Sequence, residues 1–200
     1  MSKFCFLEPP VPSDAAQDLF DDDVSEHGFV MNASKLWAYQ PATMSGLFDL
    51  MREAVSPLKP TTRQRGILVT AGASTVGDSY CSLAWGSRLA NASDPEVASG
   101  VLRGDDQLLS PEERAMAGWA RKIARNPNGT SAADVQQLRD AGFSDAQIFA
   151  ITAFVALRLA FSTINDALGA RPDAAYRSSV PAPVLEAVSY GRPIEDGKST

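Results

Sequence analysis

Cys81 is the side chain of this sequence best suited to covalent or redox chemistry, and its neighbours decide what that chemistry can be. In the run Gly77-Asp78-Ser79-Tyr80-Cys81 the glycine interrupts one helical pattern. Asp78 is a natural N-cap for the next helix, because its carboxylate can accept an otherwise unpaired N–H of the first turn. Cys81 then stands near the third helical position, where the helix dipole and free N–H groups favour a thiolate. Asp78, on the same face one turn earlier, pushes the other way through its charge, and the sequence leaves the net direction open. A packed, inert thiol is the competing reading, since cysteine is among the most buried residue types. Trp85 and Arg88 follow on the same helical stripe as Cys81. They read either as core filler with a rim ion pair, or as a pocket in which Trp85 is a flat apolar wall and Arg88 or Arg63 holds a carboxylate. Tyr80 is a further candidate substrate contact.

Other residues compete for a role. Cys5 could resolve an oxidised Cys81 only if the N-terminal segment crosses the site, which a chain terminus seldom does. His27, the single histidine, reads as a solvated surface imidazole unless that segment folds back. Arg158 is the lone charge in the apolar run 148–161. A buried guanidinium needs a partner, so a structural or subunit-interface ion pair with Asp78, Glu53 or Asp166 is expected ahead of a substrate-anchoring role. Asn165 and Asp166 read as capping and surface groups. Gly46, Gly72, Gly86 and Gly118 fall inside expected helices at about 1 kcal/mol each relative to Ala, which close helix approach would offset.

The elements that position these residues are helical. Met44, Leu47, Leu50, Met51 and Val55 recur at helical spacing and stop at Ser56-Pro57. Thr61 to Gln64 has capping-box spacing and opens a helix reaching Ser74. Helices are expected over 79–91 and 94–102, then from Pro111 behind the cap Ser110, with Met116, Trp119, Ala120 and Ile123 on one face. Ser131 opens another that ends at Gly142. Over 144–168, Ser144 and Gln147 form a capping box, with Phe143 and Ile148 as a hydrophobic staple. No β pattern of comparable quality and no fixed repeat competes. The expected fold class is all-α, a single-domain helical bundle: 1–34 an N-terminal arm, 35–172 the helical core, and 173–200 a tail with one short helix over 183–190.

Composition narrows the function. A hydrophobic share of 44% in 200 residues supports one sizeable core. A formal net charge of −6 argues against a nucleic-acid surface. The run 148–161 falls short of the roughly 20 residues of a membrane span, and no membrane partner is expected. Two cysteines and one histidine build neither a disulfide framework nor a Cys/His zinc site, so neither metal nor cofactor is expected. The chain opens without an apolar leader, and a cytoplasmic location is expected.

The order of a helix carrying Arg63-Gln64-Arg65, Tyr80-Cys81 opening the next, LSPEERAMAGWARKIARNP at 109–127 and DVQQLRDAGFSDAQIFAITAFVAL at 134–157 resembles the alkylhydroperoxidase D and carboxymuconolactone decarboxylase superfamily, in its peroxidase-related branch. The likeness covers about 45–170. The resemblance implies a helical domain that assembles as a homo-oligomer (trimer, hexamer or dimer). It also implies thiol-dependent peroxide reduction in members with Cys-x-x-Cys-x-x-x-His, where a Glu of the preceding helix and the His relay protons. Here the second cysteine falls on Cys81, the first on Asp78, the histidine on Trp85 and the glutamate on Gly66. A dithiol cycle needs a second sulfur whose Cα lies within about 7 Å, so none is expected. The decarboxylase branch relies on a His at the same helix, where this chain has Trp85. The primary expectation is therefore a peroxidase-related oxidoreductase acting on a small molecule, with Cys81 as nucleophile, its sulfenic acid reduced by an external thiol, and Asp78 as the nearest acid/base group. The alternative is a divergent lyase or small-molecule-binding member without thiol redox activity, with Trp85, Arg88 and Arg63 as binding groups.

Overall fold

The computed structural model describes residues 4–197, and every regular element among them is helical. The α-helices are α1 Asp14–His27, α2 Asn32–Trp37, α3 Pro41–Val55, α4 Thr62–Val76, α5 Ser79–Ala92, α6 Pro95–Arg103, α7 Pro111–Arg125, α8 Ala132–Asp140, α9 Asp145–Ala167, α10 Tyr176–Ser179 and α11 Ala182–Ala187. Residues 1–3 and 198–200, the extremes of the expected arm and tail, lie outside the described residues.

The bundle is built around α4. From Gly66 to Ala73 this helix is buried at every residue, as a helix that is apolar all round must be. It is flanked by α5, α6, α7 and α9, while α3 lies along α9 and α11 closes over α5 and α6. The capping boxes at Thr61, Ser110, Ser131 and Ser144 all form, each side-chain cap contributing about 1 kcal/mol. Phe143 and Ile148 are buried together at the start of α9. By length and composition α9 could cross a membrane. It packs instead against α3, α4 and α7, and it buries the polar Arg158, Ser162 and Asn165.

The α4–α5 turn sets the position of Cys81. Gly77 ends α4 in the left-handed region (φ 77°), its N–H directed at the carbonyls of Ala73 and Ser74, and Asp78 caps α5 immediately. Gly86 marks a close approach: a Cβ there would lie 2.8 Å from Val184 Cγ1 and 3.3 Å from Leu102 Cδ1. Gly46 and Gly118 would meet nothing within 4 Å, so close packing within the chain does not account for them.

The N-terminal arm is more ordered than its sequence implies. Ser13 caps α1, Gly28 ends it at φ 80°, and only Ala16 of its length is buried. The helix packs on α2 and α3 along the edge of a cavity and meets the core through Leu19. It therefore needs no apolar stripe, and its acidic run carried no helical period to read.

Candidate functional site

A cavity of about 720 Å³ opens between α1, α3, α4, α5 and α9. Cys81, Arg158, Phe154 and Phe161 form its buried side, Phe48, Met51 and Trp85 contribute apolar wall, and Asp22, Asp23, Glu26 and His27 line it from α1.

Cys81 is 2% exposed. Its Sγ accepts from Arg158 Nη2 at 3.4 Å and from Ser162 Oγ at 3.6 Å, while its backbone N–H donates to Asp78 Oδ1 at 2.9 Å. The thiol pKa is pushed far up, first by burial and then by the charge of Asp78, with Arg158 and Ser162 pulling it down. The helix N-terminus therefore does not prevail, and Cys81 rests as a protonated thiol at neutral pH. Asp78 is fully buried, its charge acts on the thiol, and its Oδ2 has no hydrogen-bond partner.

The expected ion pair of Arg158 does not form. Arg158 is 6% exposed, no carboxylate lies within ion-pair distance of it among the described residues, and its Nε has no hydrogen-bond partner. The guanidinium is instead flanked by ring faces, 5.1 Å from the Phe161 centroid and 5.4 Å from that of Trp85. Such contacts recover about 0.5–2 kcal/mol each, against a penalty of several kcal/mol for an ion removed from water. Asp78 caps α5 through Oδ1, and its Oδ2 is not within ion-pair distance of Arg158. Asp166 lies under the influence of Asp78 and Arg192, its carboxyl pushed up to about 7, first by burial and next by the charge of Asp78. Asn165 is buried rather than a surface group and accepts from Trp37 Nε1 at 2.8 Å.

The stripe read from the sequence is present: Cys81, Trp85 and Arg88 all line the cavity. Arg88 lies over the Trp85 ring at 5.1 Å and donates to Glu26 at 3.2 Å, tying α5 to α1. Arg63, expected to bind substrate, points elsewhere. Its guanidinium forks onto Glu113 at 2.6 and 3.0 Å, clamping α4 to α7, and the pair holds the Glu113 carboxyl below its ordinary range. Tyr80 touches the cavity, but its hydroxyl is committed to a buried polar node, donating to Asp173 at 2.5 Å and accepting from the Ala33 N–H at 3.1 Å. Gly66, where the resemblance places a glutamate, packs on α5 so tightly that a Cβ would lie 3.0 Å from Leu89 Cβ. Cys5 is buried, donates to the Leu7 carbonyl and does not line the cavity.

Two further cationic or titratable residues reach the cavity, His27 by the folding back on which its role depends and Arg65 without any sign in the sequence. His27 reaches the cavity because α1 folds back over it; the Ser13 cap and the Gly28 stop mark α1 as a helix but not its course over the site. Arg65 lines the cavity with a buried, unpartnered Nε. It stands two residues beyond Arg63, hence about 200° around α4, on the side away from the Glu113 clamp.

No protein-family model matches the chain, and a search of curated proteins finds no match. Solved structures do match. The chain is similar to the alkylhydroperoxidase AhpD core of an uncharacterized peroxidase-related protein from Ralstonia eutropha JMP134, with a TM-score of 0.76 and 24% identity over 88% of this chain and 96% of that one. An uncharacterized peroxidase-related protein from Silicibacter sp. TM1040 gives 0.76 and 21% over 87% and 94%. The debrominase Bmp8 in its apo form gives 0.68 and 17% over 90% and 96%. A cysteine-to-alanine variant of that debrominase, in complex with 2,3,4-tribromopyrrole, matches at 0.68 and 18% over the same shares.

Proposed function

The fold is of the alkylhydroperoxidase D type, and on that premise we propose that the protein is a single-thiol oxidoreductase. Cys81 reduces an electrophilic atom of a small molecule held in the cavity, and an external thiol restores it. The supporting observation is the setting of the Cys81 sulfur. It lines a cavity, receives two hydrogen-bond donors that favour a thiolate, and has the unoccupied carboxylate oxygen of Asp78 nearby.

With a hydroperoxide, Asp78 takes the thiol proton and the thiolate attacks a peroxide oxygen. The S–O bond forms as the O–O bond breaks, and the departing alkoxide takes up the proton, leaving a sulfenic acid. An external thiol condenses with the sulfenic acid to a mixed disulfide and water. A second thiol then releases Cys81 and leaves as the disulfide. The net change is ROOH plus two R′SH giving ROH, R′SSR′ and water. Removal of a ring halogen has the same electron count: ArX plus two R′SH gives ArH, R′SSR′ and HX. Peroxidase-related proteins and a debrominase on similar folds are consistent with a thiol that attacks either kind of atom.

The test is consumption of hydrogen peroxide, cumene hydroperoxide and a brominated pyrrole in the presence of dithiothreitol, comparing the wild type with Cys81→Ser. A fall of at least about 100-fold in the variant is expected, since the nucleophile is removed. Equal rates would sink the proposal. They would favour the second reading, a lyase or binding protein without thiol turnover, which the upward shift of the Cys81 pKa supports.

A further inference from the structure

We infer that the cavity takes a flat aromatic molecule bearing a carboxylate, and that the carboxylate pairs with Arg158 beside Cys81. The inference deepens the reading of the cavity as a substrate site and does not depend on the thiol's turning over.

The guanidinium of Arg158 is the starting point. Among the described residues it has one hydrogen-bond partner, the sulfur of Cys81, which as a neutral thiol offsets none of its charge. The rings of Phe161 and Trp85 cover its faces, but ring faces do not satisfy N–H donors, which lie in the plane of the guanidinium. A planar, bidentate oxygen acceptor does so better than any neutral group.

A second, independent observation points the same way. Arg65 enters the same cavity from α4 with a buried Nε that has no partner, and no carboxylate pairs with it among the described residues. The acids of the cavity all come from α1 and are already engaged or exposed: Glu26 binds Arg88, Asp23 accepts the Met31 N–H at 2.8 Å, and Asp22 is exposed. The buried side therefore turns two guanidinium groups toward the cavity with no carboxylate of the lining paired to either, while Asp78 lies outside the lining and caps α5. A buried ion without a counter-ion is costly, and a ligand carboxylate in the cavity would supply the missing partner.

The walls define the remainder of the ligand. Phe48, Phe154, Phe161 and Trp85 present rings, Met44 and Met51 present adaptable thioethers, and aromatic ligands pack well on both. A volume of about 720 Å³ accommodates a substituted one- or two-ring acid. Because Arg158 Nη2 is 3.4 Å from Cys81 Sγ, a carboxylate held by Arg158 sets the attached ring against the thiol.

The experiment uses Cys81→Ser, which cannot turn over, and follows tryptophan fluorescence while titrating 1-naphthoate and its neutral counterpart 1-naphthamide. The expected result is binding of the acid at least about tenfold tighter than the amide. In a Cys81→Ser, Arg158→Met double variant that preference disappears while affinity for the amide is kept. Equal affinities in Cys81→Ser overturn the inference, as does binding of neither compound, or a preference that survives Arg158→Met. Should the double variant not fold, the acid-to-amide ratio in Cys81→Ser decides alone. Failure of the thiol reaction in the turnover assay leaves this anion preference standing, so the two proposals fail separately.

Discussion

Two buried polar clusters flank the first turn of α5 and are built on opposite plans. Around Tyr80, donors and acceptors are matched. The phenol donates to Asp173 and accepts from Ala33, Asp173 accepts from the Asn32 N–H at 2.8 Å, and the Asn32 side chain bonds Arg171, Glu195 and Lys35. Around Cys81, one residue along, Asp78 Oδ2 and Arg158 Nε have no hydrogen-bond partner. A buried polar group left unsatisfied costs about 1–3 kcal/mol, more when charged. The first cluster is thus a fastener, holding α2 and the C-terminal segment against α5. The second keeps unmet hydrogen-bonding capacity facing a cavity. On the proposed reading, stability and chemistry fall to adjacent residues of one helix, and the partnering of their polar atoms tells them apart.

Substitutions that treat the two clusters alike should reveal the difference. Tyr80→Phe leaves Asp173 Oδ2 and the Ala33 N–H without the phenol, and should lower stability by roughly 2–4 kcal/mol, seen as a drop of about 5–10 °C in Tm. Arg158→Met replaces a buried cation that has no ion-pair partner with an apolar side chain of similar length, and should leave Tm unchanged or raise it. Scanning calorimetry on both variants decides, and an equal loss in the two would erase the distinction. Asp78→Asn comes next in size. Asparagine caps as well as aspartate, so stability should move by only about 0.5 kcal/mol. Loss of the charge that raises the Cys81 pKa should make iodoacetamide alkylation faster at about pH 8 while turnover falls, because the base is gone. Parallel changes in alkylation and turnover would show that Asp78 acts on the thiol only through its field.

Much of this arrangement was legible in the sequence because it rests on local rules. Capping at Thr61, Asp78, Ser110, Ser131 and Ser144 involves side chains and backbone a few residues apart, and the Cys81–Trp85–Arg88 stripe follows from helical period. What stayed hidden depends on tertiary partners. Arg63 and Arg65 look equivalent in sequence, and only the position of Glu113 on α7 separates a structural clamp from a cavity residue. A buried cation usually has a counter-ion, and the lack of an ion-pair partner at Arg158 is visible only when every neighbouring helix is in place. His27 gives little sign of its place at the cavity because α1 contributes almost nothing to the core and leaves no apolar signature.

The smallest expected effect probes how far the unmet charge of Asp78 is felt. Asp166 is half-buried, and its carboxyl is pushed from 3.8 to about 7, first by burial, then by Asp78, with Arg192 pulling back. A carboxyl whose folded pKa lies above its unfolded value binds its proton more tightly in the folded state. Its contribution to stability is complete below the unfolded pKa and is lost as pH rises through the folded one. For Asp166 the loss runs from about pH 4 to about pH 7. Asp166→Asn does not titrate, so its stability relative to the wild type should improve between about pH 4.5 and pH 7.5 in urea denaturation. The improvement should be modest, because solvent screens a half-exposed group. In an Asp78→Asn background the second cause of the shift is gone, and the improvement should shrink and complete itself at lower pH. An improvement of undiminished size there would mean that burial alone holds the Asp166 proton, and that the charge beside Cys81 does not extend beyond its own turn of helix.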